Sequence, residues 1–141
     1  MHDGALHLVQ RVLPAVPIRQ YVLSPPSELV PLLAAHGEAL SALSGIFVEA
    51  IFSGIRGRAG AAVACGAVVV IQRFTKALTV YPHLHVLVLD GGYVQRDDET
   101  LDFDEVAPPA SRALRRLEAG VEERFTRWRS ATASSKTSQS R

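Results

Sequence analysis

The sequence predicts an α+β fold in which an antiparallel sheet packs against helices, and three observations predict it. Short apolar stretches, "IRQYVL", "GAVVVIQRF" and "HLHVLVL", have the length and the alternating or β-branched character of strands. Two longer stretches place apolar residues at helical spacing. Their order, strand, helices, strand, strand, hairpin, helix, is the βαββα succession of a ferredoxin-like unit without its final strand, so the sheet is expected to be incomplete at the C-terminal end. A chain of 141 residues suits one domain with a real core.

Each element has its own signal. Pro14 and Pro17 limit regular structure near the start, leaving room for a short helix over about 5–13. In 18–23, Ile18, Gln20 and Val22 alternate with Arg19, Tyr21 and Leu23, as in a strand with two different faces. Ser24-Pro25-Pro26 ends it, and Ser27 opens a helix to about Ala35 with Pro31 near its first turn. His36-Gly37 separates a second helix, about Glu38 to Ser53, with the stripe Leu40, Leu43, Phe47, Ala50 and Ile51 and a stop at Gly54. Residues 55–62, "IRGRAGAA", read as a flexible basic loop, and 66–74 as a well-buried strand. The next strand is 83–89, followed by a turn at Asp90-Gly91-Gly92. "YVQ" and "LDF" can pair as an acidic hairpin around "RDDET". After Pro108-Pro109 a helix covers about 110–129, with Leu114, Leu117, Val121, Phe125 and Trp128 on one side. Residues 130–141 are small, polar and basic and are expected to be disordered.

Composition narrows the classes. A single cysteine, Cys65, excludes an intramolecular disulfide or a Cys-built zinc site within the chain and fits a reducing cytoplasm. No uninterrupted apolar run has membrane-spanning length, and the first residues lack the pattern of a secretion signal, so no membrane partner is expected. The net charge of +1 hides an uneven distribution. Between Glu49 and Asp90 there is no acid, while Arg56, Arg58, Arg73 and Lys76 lie there. Seven acids and one base occupy 90–105. A basic middle segment can face a polyanion, although such runs are also found on ordinary solvated surfaces.

That basic segment leads into "YPHLHVLVLDGGY". On a strand, His83, His85, Leu87 and Leu89 share one face, and Leu84, Val86 and Val88 the other. The two histidines are roughly 6.6–7 Å apart at Cα, a spacing from which two imidazoles can converge on one cation. With the preceding strand antiparallel and Phe74 opposite His83, Gln72 falls opposite His85 on the same face. Its side-chain carbonyl suits a hard cation such as magnesium or manganese. Asp90 is poorly placed as a further ligand, about 16 Å beyond His85 and on the opposite face. Two half-exposed polar histidines are the plain alternative to a metal pair.

The block "CGAVVVIQRFTKALTVYPHLHVLVLDGGYV" resembles the core of the transposases of rolling-circle insertion sequences, and "HLVQRVLPAVPIRQYVLSPPSELVPLLAAH" resembles the segment before it. The likeness covers about Leu6 to Glu118, with "VIQRF" followed by the His-hydrophobic-His signature as its most specific part. The resemblance implies an HUH-type endonuclease acting on single-stranded DNA. In such enzymes the paired histidines hold a divalent metal, and a tyrosine on a later helix attacks phosphorus to form a 5′-phosphotyrosine. Carried over by position, His83 and His85 are the metal ligands and Gln72 the third. Arg73 and Lys76, with Arg56 and Arg58 upstream, are the candidate DNA-binding residues.

The resemblance also exposes gaps. Family nucleophiles lie on a helix past the matched region, whereas the only tyrosines here are Tyr21, Tyr81 and Tyr93, so no catalytic tyrosine is assigned. The cysteine-rich zinc region that usually precedes the block is absent, and the sequence after Gly120 does not align. The expectation is therefore a partial HUH-type domain over 1–129, truncated and inactive alone, that retains metal and single-stranded DNA binding and can associate with an intact transposase. A non-catalytic nucleic-acid-binding remnant and a small metal-dependent hydrolase are the alternatives. His2, His7 and His36, Cys65 and the run Asp97-Asp98-Glu99 read as surface or packing residues. Trp128 reads as core rather than as a platform for a base.

Overall fold

The computed structural model describes residues 13–97 and 99–138; the helix expected over 5–13 lies almost wholly outside them. Strand β1 (Ile18–Leu23) is followed by a 3-10 turn (Ser27–Leu29), helix α1 (Val30–Ala35) and helix α2 (Gly37–Ala59). Strands β2 (Ala67–Phe74) and β3 (Val80–Leu89) come next, then a hairpin of β4 (Gly91–Gln95) and β5 (Leu101–Glu105), and helix α3 (Ser111–Ser138). The main sheet has the order β1-β3-β2, with β3 antiparallel to both neighbours. β1 and β2 thus run parallel with β3 inserted between them, the split βαβ arrangement expected of an α+β ferredoxin-like unit.

The core forms where the sequence periodicities meet. Leu84, Val86 and Val88 on one face of β3 are fully buried against the stripe Leu40, Leu43, Phe47, Ile51 and Ile55 of α2, with Val121 and Phe125 of α3 in the same cluster. Among the described residues, the other face of the sheet carries no helix. α2 is long and apolar enough to cross a membrane by length and composition alone, but its most apolar stripe is committed to this core.

Several boundaries move, each for a physical reason. α2 does not stop at Gly54; it continues through Ile55, which is buried one turn beyond Ile51, and ends at Gly60, whose φ of 112° is open to glycine. Burial of Ile55 outweighs the roughly 1 kcal/mol that a glycine costs inside a helix, so the expected loop at 55–62 is helical to Ala59. β2 is not a well-buried strand. It lies at the sheet edge, and Val69, Val70, Ile71 and Phe74 are all exposed because the helices cover only its neighbours. Its β-branched composition reflects strand preference rather than burial. β1 is the other edge.

β3 begins at Val80, three residues before His83, and the connection from β2 is a tight turn in which the Thr75 N–H donates to the Thr79 carbonyl (2.9 Å). The tight turn puts Phe74 opposite Val80 rather than His83, and with one irregularity between Phe74 and Gln72 the ladder pairs Gln72 with His83 rather than with His85. Buried Pro82 has no N–H for the ladder, and proline inside a sheet is found at such irregularities. Gly91 and Gly92 belong to β4 rather than to a turn; the chain bends at Asp90 alone. The hairpin pairs Tyr93 with Phe103 and Gln95 with Leu101, as expected. α3 continues from the expected end near 129 to Ser138, so 130–138, expected to be disordered, are helical.

Candidate metal and nucleic-acid site

The alternation of β3 puts His83 and His85 together on the open face, half-buried, while Leu84 and Val86 between and beyond them close the core. Neighbouring strands complete the surroundings. On β1, Val22 is paired with His85; on β2, Val70 is paired with His85 and Gln72 with His83.

Both rings are held through the same nitrogen. His83 Nδ1 lies 2.9 Å from Ser24 Oγ, and His85 Nδ1 lies 2.8 Å from Gln20 Nε2. The Tyr81 ring lies against His83, with centroids 4.9 Å apart, and its hydroxyl donates to the Pro25 carbonyl at 2.7 Å. These contacts tie the end of β1 to the start of β3. Among the described residues no hydrogen bond occupies Nε2 of either histidine. Gln72 Nε2 donates to the Phe74 carbonyl at 3.0 Å, leaving Oε1 as its open end.

This donor set suits a divalent cation: two imidazole nitrogens and one amide oxygen from one sheet face. A histidine that ligates through Nε2 carries its proton on Nδ1 and gives it to an acceptor. The Ser24 hydroxyl can accept it. Gln20 can do so after a half-turn of its amide, which exchanges NH2 for oxygen at the same position. Among the described residues no group of three His, Cys, Asp or Glu side chains comes together, so no carboxylate joins the pair. Asp90 is turned away; it is nearly buried and accepts two hydrogen bonds from Arg19, one of 2.8 Å from Nε. This pairing pushes the Arg19 pKa further up, so the guanidinium stays charged.

The four basic residues do not gather at the histidines. Arg73 sits at the ladder irregularity on the exposed edge strand, and Lys76 is in the exposed β2–β3 turn. Arg56 pairs with Glu49 (3.1 Å) and sits over the Phe52 ring. Arg58 lies beside Tyr21 on the helix side of the sheet. Ser24, Gln20 and Tyr81 are the site residues that sequence reasoning missed. The signal for them was weak: polar residues at alternate positions of β1, legible only once β1 is known to pair with β3.

An antiparallel α+β domain with a helix-free sheet face and two histidines on its central strand is the class that fold and site define. The family model described as "Putative transposase" matches residues 66–138, just over half of the chain. The chain belongs to that transposase family. No curated protein and no solved structure matches it.

Proposed function

We propose that this chain is the metal-holding and strand-holding part of a rolling-circle transposase of the HUH type, acting on single-stranded DNA in the cytoplasm. One observation carries the reading: His83 and His85 share the open face of the central strand, each fixed through Nδ1 by a β1 side chain, with Gln72 across from His83. Nε2 of each ring and Oε1 of Gln72 would hold the cation, magnesium or manganese. When bound, the cation would polarise the phosphorus–oxygen bonds of the scissile phosphate. Around the pair, Val22 and Val70 present neutral surface, so no carboxylate of these neighbours repels a DNA backbone. Lys76 in the adjoining turn adds positive charge.

The tyrosines set the limit of this activity. Tyr21 faces the helices, Tyr93 packs edge-on against Phe103 at 5.2 Å, and the Tyr81 hydroxyl is committed to Pro25. None is placed as a nucleophile over the histidine face. Strand transfer therefore needs a tyrosine from outside these residues, and residues 1–141 alone form no phosphotyrosine. The same placement supports a second reading, a non-catalytic nucleic-acid-binding module.

Manganese titration of the wild type and of His83→Ala/His85→Ala separates the two. Saturable binding lost in the double variant supports the metal reading; equal, negligible binding by both rejects it in favour of the binding module. Incubation with a labelled single strand tests the missing nucleophile, since a covalent adduct formed by this chain alone would refute it.

A further inference from the structure

We infer that the cleft between α2 and α3, on the side of the sheet away from the histidines, binds a phosphate group. The cleft has a volume of about 310 Å³. Its charged lining residues are Arg58 from α2 and Arg116 and Arg124 from α3, with Tyr21 of β1 contributing a phenol; no aspartate or glutamate lines it. Arg19, Arg56, Arg96 and Arg127 each have a carboxylate partner; among the described residues Arg58, Arg116 and Arg124 have none, nor do Arg73, Arg112, Arg115 and Arg129, and what sets the cleft apart is that three such arginines share one concavity. Three guanidiniums around one concavity repel one another and favour an anion with several acceptor oxygens. Burial pushes the Tyr21 pKa up, against the opposing pull of nearby Arg58, so the phenol keeps its proton and can donate it.

Two glycines belong to the cleft wall, although Gly45 and Gly57 of α2, outside it, have the same open surroundings. Gly54 and Gly120 lie inside α2 and α3 and both line the cleft. A Cβ on either would have no heavy atom within 4 Å, so packing does not require a glycine at either place. Each nevertheless costs its helix about 1 kcal/mol relative to alanine. A large side chain at either position would project into the cleft, which makes these two places a means of filling it. The remaining wall is apolar, including Ile51 and Leu117, which suits the sugar or base attached to a phosphate better than a bare inorganic ion. That the phosphate belongs to a DNA strand rests on the transposase reading; that it is a phosphate rests on the cleft.

The test uses fluorescence anisotropy at low salt with a labelled short thymidine oligonucleotide. Three variants of the full chain are compared with wild type: Arg116→Ala/Arg124→Ala in the cleft, Arg112→Ala/Arg115→Ala as a charge-matched control on the same helix, and Gly54→Leu/Gly120→Leu, which fills the cleft without changing charge. All replaced side chains are on helix surfaces, and a melting curve for each verifies folding. Loss of two charge-assisted contacts should weaken binding by about 10-fold or more in the cleft variant. The control should change by less than about threefold, because scattered surface charges contribute little each. The filled variant should bind as weakly as the cleft variant.

Thymidine monophosphate as competitor identifies the source. Direct binding that the cleft variant loses assigns the cleft to free nucleotides; binding confined to the oligonucleotide assigns it to a strand. Equal losses in the two arginine doubles, full binding by the filled variant, or no binding of either probe by wild type would each overturn the inference. His83→Ala/His85→Ala distinguishes this from failure of the transposase reading, because it should abolish manganese binding while leaving the ranking of the cleft variants unchanged.

Discussion

Gln20 and Ser24 decide which nitrogen each histidine can offer. A histidine that can rotate or change tautomer is a poor ligand, and removing the partner that fixes it commonly costs 10–100-fold in metal affinity. Gln20→Leu is therefore expected to lower manganese affinity by about 10-fold or more by calorimetric titration, with little change in melting temperature because residue 20 lies on the helix-free face of β1. Gly91 makes a demand of another kind. A Cβ there would sit 2.1 Å from the Asp104 carbonyl oxygen, a backbone atom that cannot swing aside. Gly91→Ala should force β4 and β5 apart and cost about 2 kcal/mol or more in a urea melt. The shared face of His83 and His85 was legible because a strand has period two and Leu84, Val86 and Val88 fill the alternate positions. The exact partner of Gln72 was not, because the register is set by the tight turn that puts Phe74 opposite Val80, which leaves no periodic trace.

The elements show where local pattern and tertiary packing part company. The apolar spacing of α2 was readable to Ile51, but its end depended on whether Ile55 had a core to enter. The composition of β2 is that of a buried strand, yet its position in the sheet leaves both faces open. An exposed apolar edge of this kind recruits other chains. Ile71→Lys should reduce light scattering on concentration or warming, while changing stability by no more than about 0.5 kcal/mol, as for other surface substitutions. The closing contact between strands β1 and β3 lies at the other end of the sheet. There Arg19 and Asp90 make a two-pronged, largely shielded pair, and the Asp90 N–H also donates to the Pro17 carbonyl at 2.8 Å. Asp90→Ala leaves the guanidinium without its partner. A loss of about 2 kcal/mol in denaturant unfolding is expected, the scale of hydrogen bonds to charged groups.

For the whole molecule, the order of strands and helices was enough to give the α+β arrangement, while the central place of the histidine strand is given by the pairing of β3 with both β1 and β2. The helix-side cleft was not legible, since Arg58 and the α3 arginines are more than fifty residues apart and meet only through packing. The folded state also has a predictable response to alkali. Burial raises the pKa of Cys65 above its ordinary 9.0 and that of Tyr21 above its ordinary 10.0. In each case the unfolded chain releases its proton at lower pH than the folded one, so unfolding gains from rising pH. Their contribution is fully present below pH 9 and declines above it, first through Cys65 and then through Tyr21. The melting temperature should fall above that pH, and Cys65→Ala with Tyr21→Phe should flatten the decline.

Strand β3 serves inside and outside with alternate residues: Leu84 and Val86 have no accessible surface, and the two imidazoles alternate with them on the reverse. Heat that loosens the interior therefore scatters the imidazoles in the same event. Trimming Val86 to alanine, a change wholly on the hidden side, would reach the exposed side as a broadening of both histidine ring signals in a proton spectrum.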